Sequence, residues 1–154
     1  MQIERETQIH VRPTKPHNVC ALLFVGNINP EVVLTMNRQE APTEIVFYDG
    51  FGKSFDYDPN EPLCTEKAAS EAVAERSNYV VGLSEWTYLL TMTHEHGEVA
   101  YLFAHIEDRK EEPQPLLAHE QPDALPKNTV HTLKWLIPLA TDCNVIKPLG
   151  MKGI

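Results

Sequence analysis

Apolar positions along the 154-residue chain follow two different periods. "VCALLFVGN" (19–27) is a short apolar run that stops at Gly-Asn, the mark of a buried strand. After the turn "NINP" comes "EVVLTMN" (31–37), rich in β-branched residues, and the two segments predict a hairpin. "RQEAPTE" reads as a loop, and "IVFYDGFGKSF" (45–55) as a strand that runs into a glycine turn. "DYDPNEP" is acidic and turn-rich. The period then changes. In "TEKAASEAVAERSNYV" (65–80), Ala68, Ala69, Ala72 and Val73 recur at helical spacing, and alanine favours helix. "WTYLLTMTHEHGEVAYLFAHIE" (86–107) predicts a second hairpin around a polar turn. "DRKEEPQP" and "PDALPKN" read as loops. "TVHTLKWLIPLATD" (129–142) sets Val130, Leu133, Leu136, Ile137 and Ala140 at helical spacing, with Pro138 a difficulty. The order of elements is an α/β mixture of the α+β kind, with the central helix packed on a mixed sheet.

A chain of this length suits one domain and buries a core without staples. Apolar residues make up 42% and charged residues 23%, close to the globular average. No apolar run approaches the ~18 residues of a membrane span. The polar start "MQIERETQIHVRPTKPH" is unlike a secretory signal, so a cytoplasmic location is expected. The net charge of −9 argues against a nucleic-acid polymer as partner. It leaves nucleotides open, because divalent cations bridge carboxylates and phosphates. The same charge also serves plain solubility. Cys20, Cys64 and Cys143 are odd in number, widely spaced and without a C-x-x-C, which points to buried or incidental thiols.

Candidate chemistry centres on the 65–80 helix. Glu71 and Glu75 are four apart and share one face. Two such carboxylates can hold one divalent cation from a rigid base. With Lys67 they also form an ordinary solvated face, whose ion pair is worth about 0.2–0.5 kcal/mol. In "THEHGE", His94, Glu95, His96 and Glu98 read better as an exposed polar turn than as a zinc site. "DGFGK" lacks the spacing of a phosphate-binding P-loop, and no Ser-His-Asp arrangement is indicated.

A strand hairpin, "DGFGK" (49–53), an acidic loop, a short helix with carboxylates and the closing "LKWLIPLA" together resemble the MutT-like branch of the Nudix hydrolases. The resemblance covers roughly residues 19–142. That family's box runs Gly, five residues, Glu, seven residues, then Arg-Glu-U-x-Glu-Glu-x-Gly-U, with U bulky and aliphatic. Gly52 matches the first glycine, with Gly50 and Lys53 beside it. Asp58 falls at the first glutamate, and Glu61 fits if the loop carries an insertion. Glu71 matches the glutamate after the arginine, and Glu75 the last of the pair. Ser70, Ala74 and Ser77 stand where the family has arginine, glutamate and glycine.

The resemblance implies a mixed β-sheet sandwiched between helices, with magnesium or manganese held by Glu71, Glu75 and a loop carboxylate. Glu112 in "KEEPQP" is the candidate for the last, with Glu111 beside it. Gly52, Lys53, Asp58 and Glu61 would belong to the phosphate loop, and Trp135 and Asp142 to a base pocket. Dimers are common among such proteins, so a homodimer is a further expectation. Two functions follow. One is a divergent hydrolase that cleaves a nucleoside diphosphate linked to a group X. The other is a module with a decayed box that binds a nucleotide or a protein.

Overall fold

The structure is a computed structural model, and it describes residues 8–10, 16–39, 45–95, 97–107, 114 and 116–142. Its sheet contains β1 (Gln8–His10), β2 (Asn18–Val25), β3 (Glu31–Gln39), β4 (Ile45–Asp49), β5 (Phe51–Ser54), β6 (Thr87–His94), β7 (Gly97–Ile106) and β8 (Leu117–Glu120). The helices are α1 (Cys64–Arg76) and α2 (His131–Asp142).

Alternation along β2 creates the layers. Val19, Ala21, Leu23 and Val25 face one core with Ala68, Ala69, Ala72 and Val73 of α1. Cys20, Leu22 and Phe24 face the other with Leu133, Leu136, Ile137 and Ala140 of α2. The continuous apolar run at 19–25 therefore reflects burial on both faces. The sheet is sandwiched between the two helices, as expected. β2 runs parallel to β7 along its length, from Asn18 opposite Val99 to Val25 opposite Ile106.

The β2–β3 hairpin pairs only near its turn, at Leu23–Val25 and Glu31–Val33. Further down, the two strands part like a fork. β4 pairs antiparallel with β3, and β5 antiparallel with β2, so the chain reverses direction at Gly50. A Cβ at Gly50 would stand 2.7 Å from Cys20 Sγ and 3.0 Å from Ala21 O, so the apex of the fork has room only for glycine. The expected glycine turn is thus one residue, and "FGKS" is a strand. Phe51 is fully buried and the segment has β2 as its hydrogen-bonding partner.

The central helix ends at Arg76, and "SNYVVG" closes it. Ser77 has extended backbone, its hydroxyl donates to Val73 O at 2.7 Å, and Tyr79 N donates back to it at 3.1 Å. Tyr79 and Val81 then return to the core. The closing helix starts at His131, where Val130 N donates to Tyr48 O at 2.8 Å and ties it to β4. Pro138 lies inside α2, half-buried. β8, along the edge of β3, and the three-residue β1 carry no period long enough to read from sequence. No helix among the described residues is long and apolar enough to cross a membrane.

Candidate functional site

Phe51 and Lys53 alternate onto the α1 side of β5. There the Lys53 ammonium meets the Glu75 carboxylate, with Nζ 2.6 Å from Oε2. That bond, helped by the charges of Glu75 and Glu71, pushes the Lys53 pKa up. Glu71 and Ala74 are exposed on the same helix. Arg76 donates from Nη2 to Asn37 Oδ1 at 3.2 Å. Ser70 faces inward: its hydroxyl donates to Val81 O at 2.8 Å and accepts from Trp86 Nε1 at 2.8 Å.

Asp58 and Glu61 build the turn before α1. Asp58 Oδ1 accepts from Asn60 N at 2.9 Å, and the Asp58 carbonyl accepts from Glu61 N at 3.0 Å. The Cys64 thiol donates to the same carbonyl at 3.6 Å and so ties the loop to the helix start. Glu111, Glu112, His96, Cys143 and the Asp142 side chain lie outside the described residues. His94 ends β6 and points at Tyr101, with its Nε2 3.3 Å from the hydroxyl.

The donors that α1 offers a divalent cation are few. Magnesium takes hard oxygen ligands in near-octahedral array. The Glu75 carboxylate already holds an ammonium, Ala74 offers no donor, and the half-buried Ser70 hydroxyl is engaged with Val81 and Trp86. Among the described residues, no three His, Cys, Asp or Glu side chains gather as ligands.

On the other face of the sheet a cleft of about 450 Å³ opens beside the start of α2. Gly52, opposite Cys20, forms its floor. The one atom within 4 Å of a Cβ built there is Val19 O at 3.9 Å. Val130, Thr132 and Leu133 form the α2 wall. Trp135 is not in that wall; it is 37% exposed on the outer side of α2.

Asp49, Cys20 and Tyr101 bring the cleft's titratable groups together. Burial raises the Asp49 carboxyl pKa, against the opposing effects of the hydrogen bond from Gly50 N (2.7 Å) and the Arg76 charge. Burial and the Asp49 charge push the Cys20 thiol well up, keeping it neutral. Burial, then Cys20 and Asp49, also raise the Tyr101 phenol. Sequence reasoning did not select Asp49 or Cys20 for the site. Burial at the end of a strand leaves no motif, and Asp49 stands out only by its place in "DGFGK".

No family model matches the sequence, and no curated protein does. Solved structures do. The Bacillus subtilis pyrophosphohydrolase BsRppH (E68A mutant) superposes with a TM-score of 0.58 at 18% identity, over 88% of this chain and 87% of that one. The NUDIX domain of Shewanella oneidensis NrtR, in complex with ADP ribose, gives 0.58 at 16% identity, over 86% and 90%. The chain has the Nudix fold. Caenorhabditis elegans Ap4A hydrolase gives 0.56 at 11% identity, over 86% of this chain and 99% of that one. At such identities the likeness is one of fold. Within this fold Ser70 holds Trp86, Ser77 stops α1, and Lys53 meets Glu75.

Proposed function

We propose that the chain is a Nudix-fold nucleotide-binding domain, with the uncharged part of the nucleotide seated in the cleft beside α2. The observation that carries this reading is the cleft itself. It is floored by a glycine and flanked by Asp49, Cys20, Tyr101 and Asn18, groups that hydrogen-bond a base or sugar edge. Lys53 also borders it, but its ammonium is engaged with Glu75. The cleft therefore suits a base better than a phosphate group. Support comes from the ADP ribose held by the NrtR domain of the same fold. Of the two functions the sequence suggests, this is the binding module.

Calorimetry with ADP-ribose and a panel of nucleoside diphosphates, with EDTA and then with magnesium, tests it. Binding that persists in EDTA and is lost in Gly52→Leu is the expected result, because the leucine fills the cleft from its floor. Magnesium-dependent turnover that is lost in Glu75→Gln would overturn the reading in favour of a divergent hydrolase that cleaves a nucleoside diphosphate linked to a group X.

A further inference from the structure

We propose that Lys53 is a built-in counter-ion that closes the carboxylates of α1 to divalent cations. Both partners are placed by backbone packing rather than by a loose loop. Lys53 lies in β5, opposite Val19 and two residues after the fully buried Phe51. Glu75 lies on α1, held by the buried Ala72 and Val73. The ammonium reaches Oε2 at 2.6 Å, a charge-assisted contact between a part-exposed lysine and an exposed glutamate. A magnesium ion binds oxygen at about 2.0–2.1 Å, so one on that same oxygen would stand within about 5 Å of the ammonium and be repelled by it.

Glu71 adds its charge to the field at Lys53, so one ammonium offsets two carboxylates. Nearby, the Arg76 charge acts on Asp49 in the same sense. The chain thus meets its own acidic groups here with side-chain cations. Ala74 supplies no third carboxylate, but it is exposed on the same helix and has room for one.

The inference stands on α1 and β5, independently of the ligand in the cleft. Manganese titration followed by electron paramagnetic resonance tests it on the full chain. Wild type and Lys53→Arg are expected to bind manganese only at millimolar concentrations. Lys53→Met/Ala74→Glu is expected to bind at least tenfold more tightly than Ala74→Glu alone, and adding Glu75→Gln to return it to the wild-type level. Lys53→Gln in the same background repeats the test should the methionine variant fold poorly by circular dichroism.

Tight manganese binding by the wild type that is lost in Glu75→Gln would overturn the proposal. So would a folded Lys53→Met/Ala74→Glu or Lys53→Gln/Ala74→Glu with no gain. ADP-ribose titration of the wild type in EDTA reports on the cleft separately, so either reading can fail without the other.

Discussion

Ser70 links Trp86 to Val81, accepting the indole N–H and donating to the carbonyl, both at 2.8 Å. Trp86 is buried. In the Nudix box that the sequence resembles, an arginine stands at this position. Here the position braces the segment that returns after α1. Ser70→Ala leaves a buried indole N–H unpaired and should cost about 1–3 kcal/mol. Ser70→Arg should cost more, because a charged side chain must find room against the same segment. Urea denaturation measures both. An arginine variant as stable as wild type would show that the position is not enclosed.

Gly50 and Gly52 are two residues apart and should respond differently. Gly50→Ala drives a methyl to 2.7 Å from Cys20 Sγ and 3.2 Å from Leu22 Cδ2, an overpacking worth about 1–3 kcal/mol. At Gly52 the methyl enters the cleft, and thermal stability should barely change. Melting curves of the two alanine variants are the check, and equal losses would contradict the fork geometry.

Asp49 makes stability depend on pH. Its folded pKa lies above the ordinary value of 3.8. In the window just above that value the folded chain holds a proton that the unfolded chain has released. Stability therefore falls as pH rises through the window, and the loss remains at neutral pH. Asp49→Asn keeps an oxygen for Gly50 N and carries no charge. It should melt higher than wild type at pH 7, with the gap closing as pH drops below the ordinary value. A gap that does not change with pH would mean that this carboxyl is not desolvated.

Tyr101 should ionise late. Burial holds its phenol above the ordinary value of 10.0. Ultraviolet titration should show a high-pH phase that shrinks in Tyr101→Phe, with a remainder from Tyr88, whose pKa is also raised, chiefly by burial. The unfolded chain loses these protons first, so alkaline pH should favour unfolding. A high-pH phase that the substitution leaves unchanged would place Tyr101 in contact with water.

Much of the scaffold is legible in the sequence because burial writes a local period. The run 19–25 marks a strand covered on both faces, and Ala68, Ala69, Ala72 and Val73 mark the buried side of α1. The shared face of Glu71 and Glu75 is equally local. The same logic applied to α2 turns Trp135 outward, since Leu133, Leu136 and Ile137 take the inner side. The reversal at Gly50 could not be read, because it depends on where β2 and β3 part, a matter of pairing between distant segments. Nor could the partners of Lys53 and Ser70. Lys53 and Glu75 are 22 positions apart, and Ser70 and Trp86 are 16 apart. Asp49, Cys20 and Tyr101 come from three strands. The sequence determined which residues seek the core. Only the packing of α1 on β5 decided that Glu75 would face an ammonium, because such a contact depends on the distance between two elements and leaves no period in either.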